Sequence, residues 1–354
     1  MALWAAADQA WPPFVLVAGL LLVGLVDHVE GLFVWAASGL ERVGDRPRAL
    51  LVAACASVAL VTAVLNLDTA VVFLTPVLVL AARTRGLDER PFLYAAIFMA
   101  NASSLFLPGS NLTNLLVLAQ EHASGATFAS RVLAPASGAV VATTIGLLLL
   151  WRTSLRSAPR VPQGSATRSR RPSLLAAGVT LLAAALTVLL PHPALPVLAA
   201  GSLASACEIV RGRLDVRGVL DALGAPVLVA LFSLSVALGA LARSWSWPAH
   251  LLEHAGRWET TGIGALAAVT VNNLPAAVLL SARPLSHPRA LLLGLNLGPN
   301  LAVTGSLSAY LWYRAARQAG GRPSIAEFSR RGVLLAPAAM LAALLAITLI
   351  PTPS

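Results

Sequence analysis

Apolar residues in this chain run in long unbroken blocks. They fall at about 12–27, 49–65, 69–82, 91–119, 132–151, 173–190, 194–210, 219–242, 260–282, 288–313 and 332–350. A barrel strand would alternate residue by residue, so continuous runs of this length predict α-helices. One bilayer crossing takes roughly 20 residues, so the pattern predicts an all-α polytopic membrane protein of about eight crossings plus two shorter paired segments. No basic region precedes the first block. Met1 to Pro13 therefore does not read as a signal peptide, and the first block is expected to stay as a span.

Composition narrows the class. The 354 residues are 57% hydrophobic and 11% charged, with a mean hydropathy of +0.78. Soluble domains are about 25% charged. That excludes an ordinary soluble enzyme, a disordered tail and a nucleic-acid-binding module. The formal charge is +10, and all 25 basic residues are Arg. They sit between apolar blocks, as the positive-inside rule requires of cytoplasmic loops. The 152–172 stretch holds six Arg, no acid, and Pro159, Pro162, Gly164 and Ser165. It reads as a cytoplasmic linker between halves 1–151 and 173–354. Cys55 and Cys207 lie in apolar stretches and read as small core residues. No His/Cys grouping has metal-ligand spacing. Asp27 and Glu30 are expected at a membrane boundary. His122, His192, His250, His254 and His287 are expected in loops. Trp245 and Trp247 suit an interfacial belt, and 248–258 reads as a surface helix.

The arginines also fix a topology. Both flanks of 49–82 are Arg-rich, so that segment enters and leaves on one side. Either two full crossings meet in a minimal turn, Asn66-Leu67-Asp68, or the segment is a re-entrant hairpin. The 69–82 arm is only about 21 Å long, short for a core of roughly 30 Å, which favours the hairpin. The same reasoning makes 260–282 a hairpin of opposite orientation, broken at Asn272-Asn273-Leu274-Pro275.

These breaks repeat. Leu65–Leu74 lines up with Val271–Leu280. Each is followed by a second polar interruption, Asn101–Asn114 inside 91–119 and Asn296–Ser306 inside 288–313. Similar halves of inverted topology mark a secondary transporter. Asn, Ser, Thr, Gly and Pro deep in a span free backbone groups that hydrocarbon cannot satisfy, so such breaks line a protected cavity. Half-helix ends carry partial charges and can hold an anion or a small polar solute beside a cation. The expected substrate contacts are Asn66, Thr69, Asn101, Ser110, Asn111, Thr113, Asn114, Asn272, Asn273, Asn296, Asn300, Thr304 and Ser306. Asp68 stands out as an acid well inside an apolar stretch. It must bind a cation, pair or protonate, so it is the expected coupling residue for H+ or Na+. The bland alternative is a hydrogen-bonded Asp that stabilises the hairpin tip. An intramembrane enzyme is the rival class. Gly109-Ser110 and Gly305-Ser306 offer it a nucleophile but no partner His, so no catalytic residue is expected.

At NLDTAVVFLTPV (66–77), SNLTNL (110–115), NNLP (272–275) and LGPNLAVTGSLSAYLW (297–312) the chain resembles the arsenical-pump membrane protein (arsenite permease) family of the ion transporter superfamily. The resemblance runs from about residue 20 onward. It implies an inner-membrane carrier with scaffold and transport regions and an elevator-like motion. It implies efflux of arsenite or antimonite, driven by proton motive force or by an associated ATPase subunit. Carried over by position, the site includes Asn66, Asp68, Ser110, Asn111, Asn114, Asn272, Asn273 and Ser306. Superfamily relatives are often homodimers in membrane lipid. They include sodium/proton antiporters and dicarboxylate carriers, which are the alternative functions. The chain departs from the family in two respects. The family begins with additional spans, so either a wrong gene start or a reduced scaffold is expected here, and Asn296 and Asn300 stand where arsenite permeases typically carry Asp and Lys.

Overall fold

The computed structural model describes residues 2–33, 35, 46–118, 125–156, 174–245 and 247–349. Most of the Arg-rich 152–172 linker, and the Glu121 and His122 region, lie outside these. The described residues are helical, without a strand.

Helix α1 (Ala2–Val29) starts ten residues before the first apolar block and runs through Pro12 and Pro13. Its Ala-rich opening has high intrinsic helix propensity, which a reading of apolar blocks undervalues. Helices α2 (Pro47–Val64) and α3 (Leu67–Arg83) pack against each other across a break at Leu65-Asn66. Helices α4 (Arg90–Ser103) and α5 (Leu112–Leu118) are two pieces of one interrupted rod, separated by a 3-10 turn at Pro108–Ser110. Helix α6 (Gly125–Leu150) ends the first half.

The second half opens with α7 (Leu174–Leu189) and α8 (Ala194–Val210). The expected single span 219–242 is instead α9 (Val216–Leu223) and α10 (Ala225–Ser244), divided by Gly224 at φ 55°. Glycine enters this left-handed region without a Cβ clash. The expected 248–258 surface helix is α11 (Trp247–Glu253), and Arg257 and Trp258 open the next element instead. Helices α12 (Arg257–Val271) and α13 (Asn273–Leu280) form a second broken pair. Helices α14 (Pro288–Leu297) and α15 (Leu307–Gln318) flank 3-10 turns at Gly298–Leu301 and Val303–Gly305, and α16 (Ile325–Leu349) follows.

Among the described residues, α1, α2, α6, the α9–α10 stretch and α16 are long and apolar enough to cross a membrane; α7 and α8 are shorter and apolar. Packing follows a matched scheme in the two halves. In each, the first arm of the broken pair lies on the first piece of the interrupted rod, α2 on α4 and α12 on α14. The second arms cross over, α3 onto α15 and α13 onto α5, and α6 packs along α16.

Helices α1, α7, α8 and α10 form a neighbouring group. The α1–α8 contact is a close approach of backbones. A Cβ on Gly19 would lie 2.6 Å from the Leu198 amide nitrogen, and one on Gly201 would lie 2.6 Å from the Gly19 carbonyl oxygen. Small residues allow this approach where lipid supplies no hydrophobic drive between helices. In the same group Asp27 is fully buried, its carboxylate accepting from Thr180 on α7. Glu208 on α8 is also fully buried, so Asp68 is not the sole acid inside an apolar stretch. Cys55 is a core residue as expected, whereas Cys207 is exposed on the outer face of α8.

Candidate functional site

The polar residues expected at the site fall into three hydrogen-bonded groups. The first ties the two interrupted rods together. Asn296 sits at the end of α14 because the chain turns into the Gly298-Pro299 3-10 segment just beyond it. Its Oδ1 accepts from Ser104 Oγ and Asn111 Nδ2, both at 2.6 Å. Its Nδ2 donates to Asn114 Oδ1 and to the Leu292 carbonyl, both at 2.9 Å. Asn101 Nδ2 donates to Asn300 Oδ1 at 2.7 Å. Asn300 Nδ2 donates to the Phe98 carbonyl at 3.3 Å. Asn114 Nδ2 reaches back to the carbonyl of Ser104, just past the end of α4, and to that of Leu107, which also accepts from the Ser110 amide. All of these side chains are buried, and none is charged.

The second group surrounds the first hairpin break. Asn66 caps α3, accepting from the Thr69 amide at 2.7 Å. Ser110 Oγ donates to the carbonyl of Ala63, three residues before that cap. Asp68, in the first turn of α3, is half-buried, and its Oδ1 accepts from Ser308 Oγ on α15 at 2.5 Å. Two buried side-chain atoms here have no partner, Asn66 Nδ2 and Thr69 Oγ1, and Thr113 Oγ1 on α5 has none either. Thr69 also faces Gly24 of α1, where a Cβ would lie 2.5 Å from the Thr69 methyl.

The third group surrounds the second break. Thr304 Oγ1 donates to the carbonyl of Val269, which lies three residues before Asn272, as Ala63 lies before Asn66. Asn272 Nδ2 donates to the Thr304 carbonyl at 3.1 Å, and its Oδ1 accepts from the Leu274 amide. Asn272 has φ 79° and ψ 147°, a backbone conformation that is otherwise nearly confined to glycine and costs about 1–3 kcal/mol. Ser306 caps α15 through the Ala309 amide at 3.2 Å. Asn273, the first residue of α13, is buried.

The structure thus gathers Asn101, Asn111, Asn114, Asn296 and Asn300 in one network. It places Asn66, Asp68, Thr69 and Ser110 about one break, and Asn272, Asn273, Thr304 and Ser306 about the other; Thr113 follows Asn111 on α5, its amide bonded to the Asn111 side chain. Sequence reasoning missed two partners, Ser104 and Ser308. Both lie inside motifs already singled out, and Ser308 follows the capping Ser306 by two residues.

Comparison with known proteins agrees with this architecture. A family model described as a citrate transporter matches residues 3–298. The arsenical pump membrane protein of Yersinia enterocolitica is 27% identical over 374 residues, spanning 96% of this chain and 86% of the relative. The Escherichia coli K12 protein of the same description matches to the same extent. In fold, the chain is similar to the YdaH transporter of Alcanivorax borkumensis, whose topology is described as unusual. The TM-score is 0.60 with 16% identity, covering 99% of this chain and 87% of that one. The family model covers most of the chain, and five described helices are long and apolar enough to span, so this is a multi-pass membrane protein of a transporter family; the chain belongs to the citrate transporter (CitMHS) family.

Proposed function

We propose that this chain is a secondary active transporter that exports arsenite or antimonite across the inner membrane in exchange for protons. The observation that carries the reading is the neutral surround of Asp68. Its carboxylate is held by the Ser308 hydroxyl, and the side chains about the break, Asn66, Thr69 and Ser110, are amides and hydroxyls. Arsenite near neutral pH is a neutral trihydroxide. Amide and hydroxyl groups match its donors and acceptors, and the unpartnered Asn66 Nδ2, Thr69 Oγ1 and Thr113 Oγ1 supply unused capacity. Asp68 is the ion-coupling group, and Asn272, Asn273, Thr304 and Ser306 complete the site from the second half. The matched packing of the halves supports reading 1–151 and 173–354 as inverted repeats.

A second reading, transport of a carboxylate such as citrate, is favoured by the family description and by the capped N-termini of α3 and α15, which attract negative charge. Uptake of arsenite and of citrate into everted vesicles, with and without a proton gradient, decides between them. Gradient-dependent arsenite uptake supports the first reading. Citrate uptake without arsenite uptake overturns it.

A further inference from the structure

Beyond the candidate site, α1 carries a carboxylate that none of the reasoning above uses. Asp27 is fully buried. Its Oδ2 accepts from Thr180 Oγ1 at 2.6 Å, while its Oδ1 has no partner. One helical turn on, Glu30 and Glu208 share two arginines. Glu30 Oε1 lies 2.6 Å from Arg213 Nη1, and Glu208 Oε1 lies 2.7 Å from Arg211 Nη1. Weaker cross pairs of 3.7 Å close the square. Both arginines are therefore already engaged, and three acids stand against two bases. The arginines are half-exposed and the two glutamates buried; Asp27 Oδ1 and Glu208 Oε2 both lack a hydrogen-bond partner, but Glu208 is ion-paired to Arg211 and Asp27 is paired to no base among the described residues. An uncompensated carboxylate in a membrane interior costs far more than a neutral acid with one unmet hydrogen bond.

Among the described residues, Thr180 is the side chain bonded to Asp27, and no ion pair joins it to the charged groups on the elements packed against α1. Helices α5 and α7 carry no titratable side chain. Helix α3 brings Asp68, bonded to Ser308, and Arg83, whose guanidinium bonds Glu89 and the carbonyls of Ala319 and Gly320. Helix α8 brings Glu208 and the two arginines after it. The α9 stretch brings Asp215, Arg217 and Asp221, with Asp215 capping the helix through the Gly218 amide. Helix α10 brings Arg243, which bonds Gln9 near the other end of α1. On α1 itself, His28 stacks on Phe73 of α3 with ring centroids 4.7 Å apart.

We propose that Asp27 is a proton-binding site, a neutral carboxylic acid with its proton on Oδ1, which releases and rebinds that proton during transport. Release breaks the Oδ1–H bond, leaves the electron pair on the carboxylate and passes the proton to water. Gly24 and His28, on the same side of α1, abut Thr69 and Phe73 of α3, so the acid stands one turn from the contact between α1 and the helix carrying Asp68. The role in transport rests on the proton-coupled reading above; the protonation itself does not.

The test is infrared difference spectroscopy on the purified full chain in lipid at neutral pH, beside uptake of arsenite into everted vesicles. Wild type minus Asp27→Asn is expected to show the carbonyl stretch of a protonated carboxylic acid. Thr180→Val is expected to move that band to higher wavenumber, because a carbonyl that loses a hydrogen-bond donor stiffens. Carboxylate bands in place of the acid band overturn the site. Gradient-driven accumulation is expected to fall to the level of empty vesicles in Asp27→Asn. Normal accumulation by that variant, with the acid band present in wild type, overturns the role in transport. Absence of arsenite uptake by wild type sinks the functional reading instead, and the infrared result still decides Asp27.

Discussion

Replacing Asn296 by Leu removes the centre of the tie between the two interrupted rods. The side chains are close in volume, so cavity and overpacking terms stay small. The loss is polar. Asn296 makes four hydrogen bonds, to Ser104, Asn111, Asn114 and the Leu292 carbonyl. Ser104 keeps a second partner, the Asn101 carbonyl at 2.8 Å. The Asn111 amide and the Asn114 carbonyl are left unpaired in a site without water access. Two orphaned buried groups cost about 1–3 kcal/mol each, about 2–6 kcal/mol together. Membrane-protein cycles give a smaller average of about 0.6 kcal/mol per hydrogen bond, or about 2.4 kcal/mol for four. The two routes overlap near the lower end, so the expected loss is about 2–4 kcal/mol. Reversible unfolding of the purified protein by SDS in mixed micelles measures it, with Leu181→Ala on the exposed face of α7 as the control. A Leu variant within about 1 kcal/mol of wild type would refute the reasoning, because that is the range of an ordinary surface substitution.

Three further outcomes are expected. Asp68→Asn abolishes ion-coupled accumulation in everted vesicles while leaving expression and folding intact, and Ser308→Ala weakens it; full coupled transport by Asp68→Asn would end the coupling assignment. Asn272→Gly relieves the positive φ and raises the midpoint of thermal unfolding while lowering transport, because the amide bond to Thr304 is lost; Asn272→Val, which adds a branched Cβ at the same φ, lowers both. Gly332→Ala on α16 drives its new methyl into the Asn300 carbonyl and costs about 1–3 kcal/mol in the same SDS titration, since the 3-10 segment bearing Asn300 must shift.

The interruptions were legible in the sequence because their chemistry is local. Asn66, Asn272, the Pro108-Gly109-Ser110 turn and the Gly298-Pro299 turn sit in apolar runs where a helix would otherwise continue, and the structure breaks there. The resemblance of the two breaks was readable from residue order alone. The environment of the acids was not. Asp27 lies near the end of a long helix, and its burial depends on Thr180, 153 residues away in sequence. Glu208 reads as the edge of a span until Arg211 and Arg213 fold back onto it. Asn296 and Asn300 were expected to face substrate; the structure shows where their bonds go, into Ser104, Asn111, Asn114 and Asn101. Such partnerships depend on which rods cross, and a single chain of letters does not specify that crossing.

The absence of charge in the tie between the rods has an electrical consequence. A membrane potential of 100 mV acts on each elementary charge with about 2.3 kcal/mol if that charge crosses the whole field. An Asp–Lys pair at residues 296 and 300 would feel that field and would loosen whenever one partner changed its proton count. Amides do neither. Asn101, Asn111, Asn114, Asn296 and Asn300 therefore hold the centre of the molecule equally at any voltage and any pH on either side of the membrane. An energised membrane has no handle there. Its work is confined to the few acids elsewhere in the fold, and the rods they sit beside can be moved without being pulled apart.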